Sequence, residues 1–366
     1  MKKLIFFKLG LISVALLIFV TSCDNDDDDD VLKGKYVKGV FISNEGTFGV
    51  GNGSVSFYST EGDTVSNNIF SNINSRPLGD VVQSVSVYKD YAYIVVNASN
   101  KIEVVTYNDF VESGVILDLS QPRYFAGINS NKAYITQWGE DGAVKVVDLN
   151  TLYVTKSINV GSGPENIMIE GSYAYVANSG GFGRDTVVSV IDINTDKVVK
   201  SINVGDNPAD LVVDNDGSIW VLCRGYIKYA ADWSIASQTS GKLVKINTND
   251  NTVEETIDLG ETNHPASLEI NKDGNILYFG GGYGYLGIFT YNILNKSLSD
   301  QAFIKKSLYG FSVNPDNGNI FALEAATNFT GNGVLYRYNS DGEILGNYEV
   351  GVGPNGAGFK QKREDF

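Results

Sequence analysis

The sequence predicts an all-β fold, a seven-bladed β-propeller built from four-stranded blades. A pattern returns about every 40 to 45 residues, the repeat length of propeller blades. Its clearest copy, GPENIMIEGSYAYVANSGG…TVVSVIDINTDKVVKSINVG, runs from Gly163 to Gly205. An aromatic landmark marks the second strand of each repeat: Phe41, Tyr93, Tyr134, Tyr175, Trp220, Tyr278 and Phe321. Forty glycines and two methionines fit an all-β chain, and no helical period persists beyond the N-terminus.

Residues 36–360 are assigned to the propeller. The first repeat, from Tyr36, carries Phe41 but lacks an inner strand. The next six open at Val82, Pro122, Pro164, Pro208, Pro265 and Leu308. A seventh opening, Gly353-Pro354-Asn355-Gly356-Ala357-Gly358-Phe359, stands alone near the C-terminus and is expected to complete the N-terminal blade. Such closure removes the open sheet edges that invite aggregation. Strand alternation is plain in Val144 to Asp148 and Val187 to Asp192. Asn215-Asp216-Gly217, Lys272-Asp273-Gly274, Asp316-Asn317-Gly318 and Ser340-Asp341-Gly342 supply residues that tolerate positive φ in hairpin turns.

Residues 1–22 read as a signal peptide, with Lys2, Lys3 and Lys8 ahead of an apolar stretch from Leu11 to Val20. Val20-Thr21-Ser22-Cys23 resembles a bacterial lipobox, which makes Cys23 the expected lipidated residue. Residues 23–35 form a tether, and the run Asp26 to Asp30 resembles the surface-export signal of Bacteroidetes lipoproteins while also serving as a solvated spacer. Residues 361–366 are a short tail. The expected location is the outer membrane, facing the exterior, with a lipid as the only membrane attachment.

Net charge is −15 and no basic patch stands out, which argues against nucleic acid. Beyond Cys23 the chain holds only Cys223, so no intramolecular disulfide and no cysteine metal cluster is expected. His264 is the single histidine, which excludes multi-histidine metal sites. A Cys223–His264 dyad lacks an identifiable orienting group, and Cys223 reads better as a small apolar strand residue. Asp214-Asn215-Asp216-Gly217 lacks the remaining ligands of a calcium loop and reads as a turn.

In a propeller the loops from fourth to first strand and from second to third strand open on one face. Here that face carries the long, Gly-rich, aromatic loops, while the opposite face has short polar turns such as Glu170-Gly171-Ser172. Phe48, Trp138, Phe182, Tyr226, Tyr229, Trp233, Tyr283 and Tyr285 lie on those loops. First-strand starts add Gln83, Arg123, Tyr124, Asn166 and Tyr309, with Glu165, Asp210 and Asn355 also near the axis. Aromatic surface mixed with neutral amides suits a large, flat, partly polar ligand, although part of the aromatic set is expected to pack between blades.

The G-x-x-P openings and aromatic-Val-Ala-Asn strands resemble the YncE-like propeller family. Asn44-Glu45-Gly46, Leu78 to Ser84, Pro122-Arg123-Tyr124, Ala133 to Gln137, Tyr309 to Gly318 and Gly333 to Tyr338 resemble, more specifically, Bacteroidetes surface lipoproteins of the BtuG type. That resemblance implies capture of cobalamin or another corrinoid and hand-over to a TonB-dependent outer-membrane transporter. A propeller that binds a glycan, a peptide or a protein partner is the alternative. An enzyme of the lactonase or quinoprotein kind is disfavoured by the scarcity of histidine and the absence of a matching motif. The expectation is therefore a non-enzymatic binding protein with no required cofactor, no metal and no catalytic residue.

Replacing Cys23 by Ser should release the protein from the membrane fraction into the soluble fraction, as read by fractionation. Retention in the membrane would show a second anchor.

Overall fold

The computed structural model describes residues 34–139, 142–282 and 285–360. Cys23, the acidic run, Tyr283 and the tail from 361 lie outside the described residues. The rest forms seven antiparallel blades of four strands each. Blade two is typical. Val82–Tyr88, Tyr91–Val96, Lys101–Thr106 and Glu112–Ile116 run outward from the axis in chain order.

Blade one closes the ring. Its inner strand is Pro354–Gly358, paired antiparallel with Gly39–Asn44, so the two ends of the domain share one sheet. The carbonyls of Val352 and Gly353 accept from the amides of Gly46 and Glu45, both at 2.9 Å. Asn355 is the pin. Its Oδ1 accepts from Ser43 Oγ at 2.5 Å, and its Nδ2 donates to Glu45 Oε1 at 3.1 Å and to the Gln83 carbonyl at 2.9 Å. Gly310 makes room for this pin, because a Cβ there would stand 2.1 Å from the Asn355 carbonyl oxygen.

All seven landmark aromatics are buried on second strands. The core is a series of wedges between neighbouring blades. Tyr175, Val188 and Ile202 of blade four meet Leu211, Val221 and Val244 of blade five, for example. Tyr93 of blade two stacks on Phe125 of blade three with ring centroids 3.9 Å apart. The landmark hydroxyls also latch blades, Tyr134 to Asp196 and Tyr175 to Asn251. Close-packed rings supply burial, and the Tyr134 and Tyr175 hydroxyls each find an acceptor in the next blade.

The four expected hairpin glycines, Gly217, Gly274, Gly318 and Gly342, all have φ between 64° and 81°. Three details depart from the expected pattern. Blades six and seven open at Ser267 and Gly310 rather than at Pro265 and Leu308. Blade six has a divided outer edge, Ser297–Leu298 and Ile304–Ser307, both paired with Leu286–Asn292. A six-residue helix, Ile69–Asn74, buries Ile69 and Phe70 between blades one and two. It is under two turns long, too short to show a helical period in sequence.

Deleting residues 353–366 should abolish the single cooperative thermal transition of the domain, because blade one loses its axial strand and an edge opens. An unchanged melt by circular dichroism would contradict ring closure.

Candidate functional site

Repeat geometry gathers functional side chains in two rings at one end of the axis. The first ring consists of Asn355, Gln83, Arg123, Glu165 and Ala209, just after the inner-strand openings of blades one to five, and of Ala266 and Tyr309, just before the inner strands of blades six and seven. The second lies one residue beyond the strand partner of each opening. Pro354, Pro122 and Pro208 pair with Asn44, Gln137 and Cys223, which puts Glu45, Trp138 and Arg224 at equivalent places.

Glu165 organises one side of the mouth. Its side chain is about 2% exposed, yet it is fully committed. Arg123 reaches Oε1 from Nη2 at 2.5 Å and from Nε at 3.1 Å, and the Trp138 indole N–H donates to Oε2 at 2.8 Å. The Arg123 guanidinium also lies 4.1 Å from the Trp138 ring centroid. A forked ion pair, an indole donor and a cation–π contact together compensate a buried charge that would otherwise be costly. Thr136 Oγ donates to the Glu165 carbonyl at 2.7 Å and accepts from the Tyr124 amide at 3.0 Å, which ties blade three to blade four.

Across the ring Glu45 accepts from the Tyr309 hydroxyl at 3.1 Å and from Asn355. Burial raises the Glu45 carboxyl above its usual range, opposed by those two donors. Deeper in the channel Asp210 joins three blades. It accepts from Asn166 Nδ2 of blade four, from its neighbour Leu211 N at 3.0 Å, and from Leu268 N of blade six at 2.8 Å. Burial still pushes its carboxyl up to about 6, against those hydrogen bonds and the field of Arg224. Glu269, facing Asp210, is raised well above the normal carboxylate range by burial first and by the Asp210 charge second.

Arg224 is held by its backbone. Its amide donates to the Asn207 carbonyl at 3.0 Å, and its own carbonyl accepts from His264 Nδ1 at 2.8 Å. The other ring nitrogen of His264 faces Gln238 Oε1 at 3.3 Å. Cys223 is fully buried, contacts the Val204 carbonyl at 3.5 Å, and has its thiol pushed up by that burial. The two residues are thus engaged elsewhere and form no dyad. Asp214 accepts from the amides of Asp216 and Ser218 and from the Trp220 indole at 2.9 Å, which is the work of a turn.

The candidate residues divide into three sets. Gln83, Arg123, Tyr124, Trp138, Asn166 and Tyr309 converge on the mouth. Phe182 leans on Trp138 edge-on, with centroids 5.3 Å apart and 93% of its surface exposed. Phe48 stands equally free on the blade-one loop, 82% exposed. The second set rides on a two-stranded ribbon, Ile227–Tyr229 with Ile235–Gln238. Tyr229 and Trp233 touch one another there, while Tyr226 at its base lies under the Arg184 guanidinium at 5.3 Å. The third is Tyr285, half-buried edge-on against Phe289. A polar cleft of about 560 Å³ beside the ribbon is lined by third- and fourth-strand residues such as Lys242, Asn203 and Asp258. Glu165 and Asp210, expected near the axis, lie there, and Glu45 and Arg224 join them beyond the expected residues. The repeat register carried the signal for these two, since both occupy the position of Trp138 in their blades.

The chain belongs to the family described as Domain of unknown function (DUF5074), whose model matches residues 38–352. No functionally curated protein matches it. Among solved structures, a quinoprotein alcohol dehydrogenase-like protein of Bacteroides thetaiotaomicron is similar, with TM-score 0.64, 17% identity, and 88% of this chain and 78% of that one covered. The periplasmic gluconolactonase of Pseudomonas aeruginosa gives TM-score 0.63, 13% identity, and coverage of 89% and 99%. A candidate 6-phosphogluconolactonase of Bacteroides fragilis gives 0.62, 13%, and 88% and 98%. At these identities the likeness establishes the fold alone. It nevertheless corrects the expectation of a non-enzyme, because proteins named as lactonases are built on this same framework.

The raised Asp210 carboxyl has a stability signature. The folded state holds its proton up to about pH 6, whereas the unfolded chain releases it near 3.8. Between these values the native state binds more protons, so stability falls as pH rises. The stability of the wild type relative to Asp210→Asn should therefore decline between pH 3 and pH 7 by about 3 kcal/mol, measured by urea denaturation. A pH-independent difference would show that Asp210 is not perturbed.

Proposed function

We propose that this propeller binds a small molecule over the mouth of its axial channel, and that the ligand is cobalamin or a related corrinoid. The observation that carries the reading is the composition of the mouth. Aromatic side chains on the loops of that face, Trp138 with Phe182 against it and Phe48 on the blade-one loop, accompany hydrogen-bonding groups from six of the seven blades. Such a surface suits a broad ligand with an apolar plane and a polar edge. Phe182 extends the Trp138 surface and leaves its own ring 93% exposed, available to a ligand. The sequence resemblance supplies the corrinoid. In this proposal the protein is lipid-anchored at Cys23, faces outward from the outer membrane, and passes its ligand to a TonB-dependent transporter.

A second reading, hydrolysis of a small ligand at the same mouth, is favoured by one observation. A carboxyl at about 6, as in Asp210, is near the range in which a general base operates at neutral pH. Proton release from added gluconolactone would favour this reading over simple binding.

The binding reading is tested by calorimetric titration of the purified protein with cyanocobalamin. Phe182→Ala should weaken binding by about 1–3 kcal/mol, the scale of an aromatic anchor, while leaving the melting temperature of the free protein unchanged. Absence of corrinoid binding at micromolar concentrations with an intact fold would refute the ligand.

A further inference from the structure

Five arginines lie among the described residues, and four have carboxylate partners. Arg76 pairs with Glu103, Arg123 with Glu165, Arg184 with Asp206 and Arg337 with Asp63. Arg224 is the exception. Its Nη2 gives one long hydrogen bond, 3.5 Å, to the Ala266 carbonyl, and its Nε is buried without a partner. A guanidinium carries five N–H donors in a planar fork matched to two oxygens of one acid group. Leaving a buried donor unpaired costs roughly 1–3 kcal/mol. Here the cost falls on a side chain whose backbone is held from both sides, by Asn207 and by the only histidine in the chain.

The position is as telling as the missing partner. In the first ring five blades present Gln83, Arg123, Glu165, Tyr309 and Asn355, but blades five and six present Ala209 and Ala266. Two adjacent alanines offer Arg224 no carboxylate from that part of the ring, and Arg224 of blade five hydrogen-bonds the Ala266 carbonyl there. Tyr124, whose hydroxyl makes no hydrogen bond to another described residue, is close enough to feel the charges of Glu165, Asp210, Arg123 and Arg224. It offers an O–H donor to the mouth. The neighbouring carboxylates are already engaged, Glu165 by Arg123 and Trp138, and Asp210 by Asn166 and two backbone amides.

We propose that Arg224, with Tyr124 beside it, is an oxyanion site in the channel mouth, taking a phosphate or carboxylate group of the bound molecule. The proposal rests on the reading of the mouth as the ligand site, and not on the ligand being a corrinoid. A forked acceptor would satisfy the idle donors and neutralise the one guanidinium among the described residues that has no carboxylate partner. Selectivity follows from the same geometry, because a ligand lacking an acid group leaves the fork unfilled.

The test is calorimetric titration of the purified protein with inorganic phosphate and, separately, with sodium acetate, at ionic strength matched with sodium chloride. Saturable millimolar binding of either probe is expected, and which probe binds tells phosphate from carboxylate. Arg224→Gln should weaken that binding at least about tenfold, a change of about 1.4 kcal/mol, with an unchanged circular dichroism spectrum. If Gln at 224 impairs folding, Arg224→Lys should retain charge but lose the fork, and bind severalfold more weakly. No saturable binding of either probe to the wild type, or equal binding by the folded variant, would overturn the site. Cyanocobalamin titrated in parallel separates the two readings. Failure of cyanocobalamin with phosphate still binding removes the corrinoid and leaves the oxyanion site standing.

Discussion

Ring closure is the constraint on which the rest of this molecule depends. Every blade interface is a wedge between two neighbours, and only a closed circle gives each blade two. The last inner strand, Pro354–Gly358, is far in sequence from its partner Gly39–Asn44, so closure carries a large loop entropy. Backbone ladder bonds and Asn355 hold it. Asn355 touches Ser43, Glu45 and the backbone of Gln83, so a single amide fixes the C-terminal strand to blades one and two. It also orients Glu45, which makes the closure and one wall of the mouth the same piece of structure.

The mouth reuses this logic. Side chains that tie blades together around the axis also define its chemistry. Glu165 joins blades three and four through Arg123 and Trp138, and Asp210 joins blades four, five and six. Buried carboxylates with this many donors hold position at the expense of freedom, which is what a preformed binding surface needs. The outer rim is different. Phe48, Phe182 and Trp233 are each more than four-fifths exposed and are held by few contacts. A rigid, charged inner ring beneath free aromatic rings gives orientation from below and adaptable apolar area from above.

Arg123 and Arg224 differ in what tertiary structure gives them. Arg123 follows a strand-opening proline and is expected at the mouth. Its fork is filled by Glu165, a residue from the next blade. Arg224 opens the longest loop and has the freer guanidinium. Pairing between charges some forty residues apart is decided by the angle between blades, and no local pattern records it.

Local chemistry was enough to specify the blades. Alternating apolar runs, buried aromatics and glycines at positive-φ turns act over a few residues, and the repeat then multiplies them seven times. The lone opening at Pro354 pointed to ring closure for the same reason, because a strand without a blade has one place to go. What tertiary structure alone decided is which side chains meet at the axis. Seven inner strands converge there from points spread over the whole chain, and burial plus neighbouring charge set the state of Glu45, Asp210 and Glu269. Those energies depend on distance and desolvation in three dimensions, quantities that sequence spacing does not contain.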